Sequence, residues 1–125
     1  MLTTFQSMDA RALAEKFGIS MLVIFGSVAR GDTRLTSDAD VAYFSENYMS
    51  LMDEARLSTE LSAILKKDVD LVNLKKSSPL LAYHVFKDGV AVYEKTSGFF
   101  NEFFIKSIRI YQESLPLFRA KMALL

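Results

Sequence analysis

The sequence has no cysteine, no tryptophan, one histidine, two prolines and five glycines in 125 residues. Without cysteine there is no disulfide framework, no zinc ribbon and no thiol chemistry. The single histidine, His84, falls mid-helix and reads as a structural or surface residue rather than a base. The prolines stand at 79 and 116, and no Gly/Ser-rich linker, repeat or low-complexity segment divides the chain. Charge of one sign is also lacking. Fifteen Lys and Arg balance 15 Asp and Glu, which argues against a dedicated nucleic-acid binder with a basic face. Neutrality leaves room for a small phosphorylated ligand, because a metal ion can bring the positive charge. The longest purely apolar run, Met21 to Phe25, is far short of the ~20 residues a membrane span needs. Met1-Leu2-Thr3-Thr4 lacks the basic region and apolar segment expected of a signal peptide. A cytoplasmic protein is expected.

What is present is apolar: half of the residues, against 24% charged. This length suits one domain, since ~100–150 residues bury roughly two-thirds of the unfolded surface. Ala10, Leu13, Ala14 and Phe17 recur at helical spacing and predict a helix over 8–17, stopped by Gly18. Residues 21–26 predict a buried strand, 28–37 a polar loop or short helix, and 38–44 a second strand. A helix follows over 50–66, with Leu51, Ala55, Leu57, Leu61, Ile64 and Leu65 as core candidates. Residues 68–74 read as a third strand. Ser78 and Pro79 supply a cap and a first-turn proline for a helix over 79–87. After the Asp88-Gly89 turn, 90–94 reads as an edge strand. From Ser97 to Leu125 the pattern is helical, with Pro116 expected to kink or divide it. The order predicts an α/β (α+β) fold, a mixed four-stranded sheet with helices packed on it and a long C-terminal helix.

The chemistry concentrates in Phe25-Gly26-Ser27-Val28-Ala29-Arg30-Gly31-Asp32-Thr33-Arg34-Leu35-Thr36-Ser37-Asp38-Ala39-Asp40. Residues two apart on a strand share a face, so Asp38 and Asp40 aim their carboxylates at one place. Two ionised carboxylates that close repel each other unless a cation, such as a hard divalent metal, lies between them. Alone, Asp-x-Asp reads equally as a pair of solvated strand-end acids. Gly26-Ser27 closes an apolar strand. Glycine there lets a ligand approach the backbone, serine adds a hydroxyl, and a helical turn beginning after them would offer free amides to an anion. Taken alone, Gly-Ser is also an ordinary turn. The third strand carries Asp68-Val69-Asp70, of which one acid would complete a three-carboxylate cluster.

Together these elements resemble the nucleotidyltransferase superfamily that includes DNA polymerase β. More narrowly, Gly26 to Asp32, Ser37 to Val41 and Lys67 to Leu74 resemble the minimal nucleotidyltransferases (MNT), small prokaryotic antitoxins encoded beside HEPN-domain ribonuclease toxins. The resemblance covers residues ~10–95. It implies that Gly26 and Ser27 bind triphosphate, that Asp38 and Asp40 hold metal, and that Asp70 rather than Asp68 is the third acid. Arg30 falls at a commonly basic loop position and would touch phosphate. Two Mg²⁺ ions would stabilise the entering and leaving oxygens of an in-line attack on the α-phosphorus of ATP. Asp70 would bridge the second ion or take the proton of the attacking hydroxyl. The implied acceptor is a tyrosine of the HEPN toxin, which receives AMP and is silenced.

Residues 1–95 are thus expected to form the catalytic unit and 96–125 a helical tail. Phe100, Phe104, Ile108, Tyr111, Leu115, Phe118 and Met122 make one stripe that suits the sheet. Phe99, Phe103, Ile110, Leu117 and Leu124 lie largely off it; either all of this is intramolecular core, or the surplus is a partner surface for the toxin or a second copy of the chain. Lys66-Lys67 and Lys75-Lys76 read as solvated helix-end and loop charges. Two other functions compete: a non-catalytic antitoxin that neutralises by binding through its C-terminal helix, and a nucleotidyltransferase for a small molecule of the aminoglycoside type.

Overall fold

The computed structural model describes residues 8–26 and 38–123. The helices are α1 (Met8–Phe17), α2 (Leu51–Leu65), α3 (Pro79–Asp88) and α4 (Phe99–Ala123). The strands are β1 (Met21–Phe25), β2 (Ala39–Phe44), β3 (Val69–Asn73) and β4 (Val90–Glu94). All lie within two residues of the ranges that periodicity predicts. The caps explain the agreement. The Ser50 hydroxyl accepts from the Asp53 N–H at 3.1 Å and opens α2, and Lys66, at φ 56°, closes it. The Ser78 hydroxyl does the same for α3 through Leu81, with Pro79 in the first turn.

The sheet order is β3-β2-β1-β4, with β1 antiparallel to β2 and β4 and with β2 parallel to β3. The expected mixed sheet is present, and β4 is an edge strand. Alternation sorts the strand residues onto two faces. Leu22, Ile24, Ala39, Val41 and Tyr43 pack on one face under α1 and α2, with Leu57, Leu61 and Leu65. Met21, Val23 and Ala42 lie on the other, under Val85 and Phe86 of α3 and the phenylalanines of α4. No described helix is long and apolar enough to cross a membrane.

The structure overturns some expectations and decides between the alternatives of others. Leu51 is 84% exposed and Ala55 is exposed, so neither belongs to the core of α2. The buried stripe is Leu57, Leu61 and Leu65, four residues apart, and at ~100° per residue Leu51 and Ala55 point away from it. Of the two outcomes expected at Pro116, division does not occur, and α4 runs through it. Pro116 is on the exposed side of the helix, where water can satisfy the carbonyl that loses its donor.

For the phenylalanines at the start of α4, the core reading holds over the partner surface. Phe99 and Phe103 are not spare surface. Their rings lie 5.8 and 4.6 Å from that of Phe44, while Phe100, Phe103 and Phe104 surround Phe86. An arc wider than one stripe is used because α4 meets both the sheet and α3. The apolar residues left outward on α3 and α4 include Leu80, Ile105 and Ile110. The side chains of Leu117, Phe118 and Met122, and all of Leu124, lie outside the described residues. Finally, Lys67 is 8% exposed and not solvated like its neighbour Lys66.

Candidate active site

The site grows out of the register of three strands. Asp40 on β2 stands opposite Asp70 on β3, and Ala39 stands opposite Val69. The Ala39 N–H donates to the Asp68 carbonyl at 2.8 Å, which locks that register. Ala39, Val41, Val69 and Leu71 belong to the first face. Asp40 and Asp70 alternate with them and therefore share the second. Asp38 lies two residues before Asp40 in the same alternation, just outside the strand. Asp40 is half-buried, while Asp38, Asp68 and Asp70 are exposed. The acids thus stand at one end of the second face, beyond the cover of α3 and α4.

β1 brings the third component. Phe25 pairs with Asp40 in the antiparallel ladder, and the chain leaves the strand at Gly26 with φ +75°. A Cβ at this position would overlap a carboxylate oxygen of Asp40 and lie 3.1 Å from its Cγ. Glycine is therefore required twice, by its left-handed backbone and by the acid pressed against it. From the sequence, glycine at 26 is expected to give a ligand room at the backbone. The space beside its Cα is also the space that the Asp40 side chain occupies. Ser27 and Arg30 lie outside the described residues.

Among the described residues, no three Asp, Glu or His side chains already stand close enough to hold a metal. The donor chemistry is nonetheless that of a hard cation. Asp40 and Asp70 stand opposite each other on adjacent strands, and Gly26 lacks the side chain that would crowd Asp40.

Three residues are newly informative. Lys67, the buried lysine, directly precedes the Asp68-Val69-Asp70 segment. Its signal in the sequence was its position between a helix stop and a strand start, where the chain turns inward. Tyr43, on the first face, donates its hydroxyl to Glu54 Oε1 at 2.9 Å. Burial, then the bond to Glu54 and the charge of Glu54, push this phenol well above the usual tyrosine range. Tyr43 thus stays protonated and belongs to the scaffold. His84 is exposed on α3, at the edge of the Tyr83 ring, as its mid-helix position suggested.

The domain family described as polymerase beta, nucleotidyltransferase matches residues 10–98. The chain belongs to the polymerase β nucleotidyltransferases. Within this nucleotidyltransferase family it is similar to the protein adenylyltransferase MntA of Thermococcus cleftensis, 33% identical over 66% of this chain and 83% of that one. It is also similar to the protein adenylyltransferase MntA of Aphanizomenon flos-aquae, 31% identical over 78% of this chain and 72% of the relative. A crystal structure of a toxin-antitoxin with AMP-PNP superposes with a TM-score of 0.74 at 25% identity, covering 90% of this chain and 95% of its own. The chain is an enzyme, a nucleotidyltransferase.

Proposed function

We propose that this nucleotidyltransferase moves AMP from ATP to a tyrosine of a HEPN-domain ribonuclease toxin and so acts as its antitoxin. The observation that carries the reading is the pairing of Asp40 with Asp70 across parallel strands, with Gly26 against Asp40. The MntA names of the relatives and the AMP-PNP-bound toxin-antitoxin support the choice of nucleotide and partner.

The roles divide by strand. The backbone after β1, at Gly26 and Ser27, receives the triphosphate, with Arg30 at its oxygens. Asp38 and Asp40 would hold Mg²⁺, which when bound supplies Lewis-acid stabilisation of phosphate charge. Asp70 takes the proton of the tyrosine hydroxyl as its oxygen bonds to the α-phosphorus. The bond from that phosphorus to the bridging oxygen breaks, and pyrophosphate leaves. Residues 96–125 contribute to the partner interface through what α4 leaves outward, since its phenylalanines from 99 to 104 are used within the chain.

Incubation with labelled ATP, Mg²⁺ and the HEPN protein is expected to label one or more toxin tyrosines. Asp38→Asn with Asp40→Asn is expected to lower labelling by about a thousandfold or more. Equal labelling by the double variant would refute catalysis at this site. If that variant still protects cells, neutralisation is by binding.

A further inference from the structure

The hydrogen-bond pattern of β3 indicates where the acceptor enters. In a parallel ladder, alternate residues of a strand turn both backbone groups toward the same neighbour. The Ala39 N–H donates to the Asp68 carbonyl, and the Leu74 N–H donates to the Tyr43 carbonyl. With Asp40 opposite Asp70, this places the backbone groups of Asp68, Asp70, Val72 and Leu74 toward β2. Those of Val69, Leu71 and Asn73 face the other way. Among the described residues β3 is the outer strand on that side. The Val69 carbonyl receives the Ser58 hydroxyl at 3.5 Å, and the Asn73 carbonyl receives the Lys76 N–H at 3.1 Å. Between them the Leu71 N–H and carbonyl form an outward-facing pair at the middle of the strand.

The reaction geometry selects this edge. In-line displacement needs the attacking oxygen on the side of phosphorus opposite the leaving pyrophosphate. Across the sheet the order is Gly26 after β1, Asp40 on β2, then Asp70 on β3. With triphosphate held at the β1 side, the attacking hydroxyl must arrive from the β3 side. A strand laid against β3 at the usual ~4.8 Å spacing would turn the residue opposite Asp70 onto the same face as its carboxylate.

We propose that the acceptor docks as an added strand on the outer edge of β3, pairing with the backbone of Leu71 and setting its tyrosine opposite Asp70. This rests on the nucleotidyltransferase reading above and specifies how its protein substrate is held. Affinity then comes from main-chain bonds, and the register selects which tyrosine reacts. In an antiparallel addition the residue opposite Asp70 belongs to a non-hydrogen-bonded pair, where side chains approach most closely.

Amide hydrogen exchange, resolved by residue, tests the docking in the full chain with the HEPN protein and AMP-PNP. Exchange at Leu71 is expected to slow by at least about tenfold in the complex, while Val72, already paired to β2, changes little. AMP transfer by the wild-type chain with Leu71 exchanging at its free rate would overturn the docking and leave the catalytic reading standing. Absence of transfer by the wild-type chain would overturn both. Leu71→Pro removes the outward N–H without touching the ladder to β2, as an edge position allows. If folded by circular dichroism, it is expected to raise KM for the acceptor about tenfold, with kcat and KM for ATP retained. An unchanged acceptor KM would count against the proposal. If Leu71→Pro does not fold, the exchange measurement alone decides.

Discussion

The two ends of the second sheet face are built from the same three strands and have opposite character. At one end Met21, Phe44 and Leu74 lie under Phe86, Phe99 and Phe103, and Met21 is completely buried. At the other end Phe25, Asp40 and Asp70 occupy equivalent alternating positions, and Asp70 is exposed. Strand geometry does not distinguish them. The extent of the helical cover does, and the acids stand where that cover stops. An uncovered sheet end tolerates several carboxylates because they keep most of their hydration, whereas a covered end would force them neutral or paired.

Substitutions on each side can break this division. The largest effect on stability belongs to the aromatic end. Phe86 is 2% exposed and contacts the rings of Phe100, Phe103 and Phe104. Phe86→Ala is expected to cost about 3–5 kcal/mol, measured by denaturant unfolding. AMP transfer by the remaining folded fraction should keep its kcat if the two ends are independent, and a lost kcat would couple them.

Gly26→Ala should act the other way. Its positive φ and its overlap with Asp40 cost about 2 kcal/mol in unfolding, and displacement of the carboxylate is expected to lower transfer by about a hundredfold or more. A variant with full activity would show that the contact of Gly26 with Asp40 is incidental.

The smallest effect lies on the first face. Tyr43→Phe removes one hydrogen bond to Glu54 and is expected to cost about 1 kcal/mol without changing kcat. The sign of its pH dependence follows from the raised phenol. Below the ordinary tyrosine pKa of about 10, both folded and unfolded forms hold the proton, so stability is flat. Above it the unfolded chain releases the proton first, so the wild type loses stability as pH rises. Tyr43→Phe should lack that alkaline loss, and parallel unfolding curves from pH 9 to 11 would check it.

Much of the candidate site is legible in the sequence because its parts are local. Asp38 and Asp40 share a face by spacing alone, and Gly26 ends an apolar run. The choice of Asp70 over Asp68 came from resemblance, and the register adds the physical reason that Asp70 stands opposite Asp40. What was hard to read involved how elements sit on one another. Leu51 had the right residue type for the core of α2 but falls off the buried stripe. Phe99 and Phe103 appeared surplus because one helix stripe was matched to one sheet, whereas α4 also packs on α3. Lys67 looked like any helix-end lysine until the turn into β3 carried it inward.

The sequence by itself determined the order of helices and strands, the caps at Ser50 and Ser78, and the polymerase β nucleotidyltransferase motifs. These depend on periodicity and on side chains meeting backbone a few residues away. Only the tertiary structure decided that Asp40 faces Asp70, that Gly26 leaves space for Asp40, and that β3 presents an outward edge beside the acids. Each depends on the register between strands separated by a helix or a loop, and that register is settled by burying both faces at once.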